Sequence, residues 1–460
     1  MAYIKTIIPF VFLLLSRSGW GQSSITSDSS LSLTNALSLA EKNYHLLKSK
    51  LYEVEAAQKN IELSKNTFVP SLDISYQANI ATANNITGMF YPSGMIPMTG
   101  PVFNSNNYNP GFGTAASLLL NWQPFTFGQR NAQINVSKAE VKTRIADSDN
   151  EIFKHKVDII SAYLDVLLTM ELVKVSTKNL ERTKFDLKQS RVLAISGLRP
   201  GVDTALFLSE LSKARIDLLN ASKYLQTQKI ILSELLVSDT SFILADTLFF
   251  NKLPVFSLIK EVSLFQHPLL KFSQSQLDLS KSKELLLKKA WLPKLDIWGT
   301  TFARGSGIYP DGTIKTADGL GFSKYNYGVG VQIAFPILKY SEIRLQQQQQ
   351  SFISKSNEEL LNQTSLELSK QQAISDATLQ SALDVAKETP TQFQSAEYAF
   401  RALLIRYNTG LVNFADLIQS QYSLVKAETD LKKSYWEAWK ALLFKTAVAG
   451  DLNLFLNESK

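Results

Sequence analysis

The sequence predicts a mainly α-helical chain with a small membrane β part, built as two tandem repeats of helix, β-hairpin, long helix and helix. Three observations carry that reading. Segments of the first half recur in the second at offsets of 223 and then 213 residues. From Gln129 to Ala194 no Pro or Gly interrupts the chain, and from Ile145 to Leu187 every seventh residue is apolar. Short stretches of apolar–polar alternation separate the helical segments.

The repeat sets the organisation of everything else. His45-Leu46-Leu47-Lys48 returns as Pro268-Leu269-Leu270-Lys271, and Phe68-Val69-Pro70-Ser71-Leu72-Asp73-Ile74 as Trp291-Leu292-Pro293-Lys294-Leu295-Asp296-Ile297. Gly197 through Leu218 matches Gly410 through Leu431, superposing Asp203 on Asp416, Leu211 on Leu424 and Ala214 on Ala427. The chain therefore divides into a leader (1–21), a first repeat (22–240), a linker (241–255) and a second repeat (256–460).

The leader reads as a secretory signal. Lys5 gives the positive end, Ile7 to Leu15 the apolar core, and Gly19-Trp20-Gly21 a small-x-small cleavage site before Gln22. The core is about half the ~20 residues a membrane-spanning helix needs, and no later segment is apolar for long enough. An exported chain of this kind is either a soluble protein beyond the inner membrane or an outer-membrane β-barrel, whose strands alternate.

Each element of the first repeat follows from pattern. Leu33 to about Asn66 reads as one helix, capped by Ser32 or Thr34 and ended by Pro70, which disfavours helix in the residue before it. A β-hairpin spans about 70–126. Its first strand alternates Leu72, Ile74, Tyr76, Ala78 and Ile80 with Asp73, Ser75, Gln77 and Asn79; its second carries Ala116, Leu118, Leu120 and Trp122, with Leu119 breaking the pattern. Residues 81–113 between them have loop composition. The long helix, about 129–194, holds Ile145, Ile152, Ile159, Val166, Val173, Leu180 and Leu187 at one heptad position, a coiled-coil spacing. Gly197 stops it, and a second helix runs back.

The second repeat has its hairpin at about 293–337 and its long helix at about 339–408. Tyr325 to Phe335 alternates cleanly; its partner near Leu295 to Ala303 is ambiguous, because Trp298 and Phe302 fall on the polar side. Leu379, Ala386, Phe393, Phe400 and Tyr407 keep the heptad, but Pro390 lies among them and predicts a kink or break. Gly410 ends the helix as Gly197 does. Half of a soluble sandwich would alternate too, but two hairpins cannot close a sheet or build a sandwich alone, so the strands require other copies of the chain.

Composition narrows the chemistry. The 460 residues include no cysteine, 20 glycines and three histidines, His45, His155 and His267. Disulfide scaffolds, thiolate metal sites, thiol catalysis and an acyl anchor on an N-terminal Cys are excluded. No phosphate-cradling or zinc-protease motif occurs. The charge of +7 falls to +5 without Lys5 and Arg17, without a basic block for nucleic acid. We expect no catalytic residues, metal site or cofactor. His155 and His267 read as helix-surface or interface residues, and Gln346 to Gln350 as plain helix formers. Met89, Met95 and Met98 sit in the first loop; soft thioethers suit Cu(I), but flexible Met is ordinary in loops.

With these elements in order, the chain resembles the outer-membrane efflux protein family of TolC-like channels over essentially its whole mature length. The resemblance rests on Phe68-Val69-Pro70-Ser71-Leu72 and Trp291-Leu292-Pro293-Lys294-Leu295 entering the first strands. Trp122-Gln123-Pro124-Phe125-Thr126-Phe127-Gly128 and Phe335-Pro336-Ile337 leave the second ones, and Arg406-Tyr407-Asn408-Thr409-Gly410-Leu411-Val412-Asn413-Phe414-Ala415-Asp416-Leu417 forms the turn. It implies a homotrimer with a 12-stranded barrel in outer-membrane lipid, continuous with a periplasmic helical coiled-coil barrel. It also implies a periplasmic adaptor and an inner-membrane pump as partners, and passive export as the function. A periplasmic coiled-coil adaptor without a pore is the alternative.

The resemblance places gate carboxylates at Asp203 and Asp416, up to six in a trimer, where mutual repulsion is relieved by cations or by opening. The residues themselves read equally as helix caps, Asn413 with Asp416 as a capping pair and Asp203 before an apolar helix. Gln419 stands where relatives often carry a second acid. Arg199, Arg406 and Tyr407 lie near the same turns and are candidate latches of a closed state, or solvated tip charges.

Overall fold

The computed structural model describes residues 30–84, 102, 104–244, 246, 248–254 and 266–459. The leader and the methionines of the first loop lie outside them. The order is β1 (Ser30–Leu31), α1 (Leu33–Asn43), α2 (His45–Asn66), β2 (Ser71–Ala81), β3 (Gly111–Phe125), α3 (Gln129–Ile195) and α4 (Gly201–Leu236). Then follow β4 (Ile243–Leu244), α5 (Pro268–Leu287), β5 (Lys294–Ser306), β6 (Lys324–Ala334), α6 (Tyr340–Asn408), α7 (Phe414–Ala449) and α8 (Asn453–Glu458).

The two halves are built alike. The long helices α3 and α6 have 67 and 69 residues, and the return helices α4 and α7 have 36 each. At 1.5 Å per residue the long ones run roughly 100 Å. Helix α2 lies along the strand-proximal part of α3, joined by Ser64–Ser137 (2.8 Å) and Lys50–Asp147 (2.7 Å), and α4 lies along the rest. Helices α5 and α7 accompany α6 in the same way. None of the described helices is long and apolar enough to cross a membrane.

Two expectations about the helices need correction, and the place of the buried histidines is settled with them. The first helix is two, because Tyr44 is extended (φ −65, ψ 123), its ring stacked on His155 at 3.8 Å. His155 is thereby buried at a helix–helix interface, the second of the two positions expected for it, and desolvation lowers its pKa. His267 is buried too: it caps α5, accepting from the Leu269 N–H (3.1 Å) and donating through Nε2 to the Ala447 carbonyl (3.2 Å). Of the kink or break expected at Pro390, the break does not occur: α6 runs through it as a single helix. The carbonyl it deprives of a partner is that of Ala386, and the Thr389 hydroxyl donates to it at 3.3 Å, so that the break is repaired locally.

The heptad residues Ile159, Val166, Leu180 and Leu187 are buried, as are Leu379, Ala386, Phe400 and Tyr407. Near mid-helix a core of Ile159, Ile160, Tyr163, Trp439, Phe249 and Phe455 binds the parallel pair β1–β4 and α8 to the bundle. Tyr163 donates to Asp246 at 2.6 Å.

The four long strands form one antiparallel sheet in the order β2-β3-β5-β6. Its register aligns Leu72, Leu120, Gly299 and Val329 in one row, Ile74, Leu118, Thr301 and Tyr327 in the next, and Tyr76, Ala116, Ala303 and Tyr325 in a third. That face is apolar and exposed, Val329 at 84% and Tyr327 at 90%. The opposite face carries Asp73, Ser75, Gln77, Asp296, Arg304, Asn326 and Gln332. The register also resolves β5. Trp298 belongs on the polar face because it lies over Gly330, where an added Cβ would sit 2.6 Å from the indole.

Candidate functional site

The end of the molecule farthest from the sheet gathers every gate candidate. Two helix hairpins turn there, and both turns have one construction. Gly197 (φ 71) and Gly410 (φ 83) adopt the left-handed conformation that favours glycine. The following N–H groups fold back, Leu198 onto the Leu193 carbonyl (2.9 Å) and Leu411 onto that of Arg406 (2.8 Å), so the last helical carbonyls are satisfied. Pro200 then caps α4, and Asn413 caps α7 by accepting from the Asp416 N–H at 2.9 Å. The capping pair is thus formed. Asp203, in contrast, is not a cap; like Asp416 it is the third residue of its helix.

The two carboxylates differ in surroundings. Asp416 is exposed, as are Gln419 and Arg406. Asp203 is buried, and the Tyr407 hydroxyl donates to it at 2.8 Å across the two repeats. Tyr407 is 2% exposed, edge-on to Phe207 at 5.9 Å. Burial, with the acceptance by Asp203, pushes the phenol up to about 12. Arg199 completes the contact. It donates to the Tyr407 carbonyl and, at 2.8 Å, to that of Val412, and its guanidinium sits 4.3 Å from the Tyr407 ring centre. Arg199, Tyr407 and Asp203 thus tie one tip to the other, while Asp416, Gln419 and Arg406 face solvent.

A polar seam behind the tip escapes sequence reasoning. Glu428 of α7, buried, accepts from Arg182 at 2.6 Å, and Gln421 donates to Thr183 (2.8 Å) and Asn179 (3.0 Å) of α3. Asp186, 3% exposed, lies one turn on from Arg182 with one oxygen unpartnered, and burial raises its pKa from 3.8 to about 6. Because the folded state holds its proton more tightly, ionisation destabilises: the cost appears as pH rises from about 4 to 6 and is complete above. Asp186→Asn should therefore raise stability at pH 7.5 by about 1–3 kcal/mol and leave it unchanged near pH 4, read by thermal unfolding in detergent. Equal gains at both pH values would contradict it. The only signal was an Asp beside the heptad position of Leu187.

At the sheet end, Arg130 fastens α3 beneath the strands, bonding Thr67 and the Gln123 carbonyl beside Phe68. The glutamine tract has a use as well: Gln347 and Gln350 donate to carbonyls of α5 at 3.0 and 3.1 Å. Among the described residues no group of acidic and histidine side chains is placed to hold a metal.

Residues 36–237 match the family model described as outer membrane efflux protein. The match covers 202 of the 460 residues, so the likeness to that family is carried by the first half of the chain. Its fold is also that of solved channels. The CmeC outer membrane channel of Campylobacter jejuni aligns with 99% of this chain and 98% of its own at 14% identity and a TM-score of 0.71. VceC of Vibrio cholerae aligns over 91% and 96% at 13% identity (TM-score 0.71), and the open-state MtrE channel of Neisseria gonorrhoeae over 91% and 89% at 14% (TM-score 0.70). At these identities the likeness is one of fold. No curated protein sequence matches the chain.

Proposed function

We propose that the protein is the outer-membrane exit duct of a tripartite efflux or type I secretion system, a homotrimer that conducts passively and is gated at its periplasmic helical tips. The carrying observation is the four-stranded sheet: one face predominantly apolar, with Leu72, Ile74, Tyr327 and Val329 exposed, and both edge strands without a partner among the described residues, continuous with helices of roughly 100 Å. The β2 and β6 edges run antiparallel, so adding copies edge to edge preserves the alternation, and three copies supply twelve strands. From Lys324 to Ala334 strand β6 covers about 33 Å, or about 25 Å of height at a ~40° tilt, the apolar band of an outer-membrane barrel. Aromatic residues mark both rims: Phe68, Phe125, Trp291 and Phe335 near the helices, Tyr325 and Phe322 at the far end.

In this reading 22–240 and 256–460 are the two copies of one unit. An adaptor docked on the tips, with an inner-membrane pump supplying energy, would separate the hairpins. The latch is Arg199, Tyr407 and Asp203, and the constriction is lined by Asp416 and Gln419, less negative than six carboxylates. Reconstituted protein should give a heat-modifiable trimer and discrete conductance steps with divalent-cation block from the tip side. Asp416→Ala should relieve the block; unchanged block would reject the gate assignment, and a detergent-free soluble monomer would reject the channel.

A further inference from the structure

The polar face of the sheet is unevenly charged. Arg304 of β5 is the register partner of Lys324 of β6, and the same row continues to Ala115 and Gln77. This row lies near the end of the strands away from the helices. Both cations are exposed, and among the described residues neither has an acidic side chain within ion-pair reach. The loop between β2 and β3, residues 82–110, contains no charged residue at all. The acids of the loop between β5 and β6 are occupied within it: Asp318 accepts from the Tyr309 hydroxyl (2.7 Å) and Asp311 from that of Thr313 (2.7 Å). The acids of the polar face, Asp73 and Asp296, lie in rows toward the helices. Around Arg304 and Lys324 is a recess of about 440 Å³ whose other polar walls are Gln77, Asn79, Thr114, Ser306 and Ser323. Phe302, next on the same face, lies 5.1 Å beneath the guanidinium and supports it.

We propose that Arg304 and Lys324 form an anion-binding collar at the outer end of the lumen, a last electrostatic filter that takes anionic solutes as they leave. The inference rests on the barrel reading above, in which the polar face lines the channel. Twelve strands at ~4.8 Å spacing and ~40° tilt give a backbone radius of roughly 12 Å. With long side chains pointing inward, the axis lies within about one Debye length (~8 Å) of the cations at physiological ionic strength. Adjacent register partners put the two charges of each protomer side by side, the spacing that suits a multiply charged anion such as a phosphate ester. Hydroxyl and amide groups beside them supply further donors.

The test uses the full-length protein in planar bilayers, with inositol hexakisphosphate added to the barrel side only. The wild type should show voltage-dependent block that weakens as KCl is raised. The R304Q/K324Q variant should need at least about tenfold more of the anion, and its reversal potential in a KCl gradient should shift toward cation selectivity. R304K/K324R should keep the block, separating charge from shape and folding. Equal block in wild type and R304Q/K324Q, with normal conductance steps in both, overturns the collar alone. No conductance in any of them overturns the channel reading with it.

Discussion

Arginine at Val329 is expected to keep the protein out of the outer membrane. Val329 sits mid-strand in β6, 84% exposed, in the row of Leu72, Leu120 and Gly299. A cationic side chain near the bilayer midplane of a barrel costs about 2–4 kcal/mol, and a trimer incurs that cost three times. The sum exceeds what local rearrangement offsets, because the neighbours in that row offer no acid for the guanidinium to pair with. The control lies on the same strand. Gln332→Arg adds the same charge on the opposite face, which the channel reading places against water, and should assemble normally. The measurement is the heat-modifiable trimer band in outer-membrane fractions. Similar yields of the two variants would mean that the apolar face is not turned to lipid.

That contrast depends on register, which the sequence supplies only in part. Alternation alone locates β2 and β6, since one face of each is apolar throughout. It leaves β5 unresolved, because Trp298 and Phe302 sit where polar residues are expected. The missing information is in the partner strand: Gly328 and Gly330 leave the space that the indole fills. Heptad spacing and a run free of Gly and Pro make the long helices legible, and Gly197 and Gly410 mark their ends. Pro390 misleads because its consequence depends on a neighbour's hydroxyl, and Tyr44 because a ring stacked on His155 decides where the helix bends. The tip was half legible. The repeat pointed to Asp203 and Asp416 as equivalents, yet Tyr407 lies against only one of them, 204 residues away in sequence, and periodicity has no means of showing that pairing.

Because that pairing bridges the two repeats, its removal should open the tip rather than unfold it. Tyr407→Phe keeps the ring among Phe207, Phe414 and Leu417, so the packing of the tip core survives. What is lost is the one hydroxyl that, among the described residues, serves the buried Asp203 carboxylate, and a buried acceptor left without its donor costs about 1–3 kcal/mol. Separating the hairpins lets water reach Asp203, so the cost falls on the closed arrangement alone and shifts its equilibrium with the open one by roughly 5–150-fold per latch. Arg199→Ala acts on the same contact from the other side. It removes the donor to the Tyr407 and Val412 carbonyls and the cation over the ring, and should raise open probability at least as far. Asp203→Asn supplies the decisive comparison: its amide oxygen still accepts from the Tyr407 hydroxyl while the charge is gone. If the hydrogen bond holds the tip, this variant stays closed and Tyr407→Phe opens. If carboxylate repulsion governs the gate, Asp203→Asn alters conductance and Tyr407→Phe does not. Single-channel recordings of the three variants, under one salt condition, separate these outcomes, and wild-type behaviour in both Tyr407→Phe and Arg199→Ala would remove the latch from the mechanism.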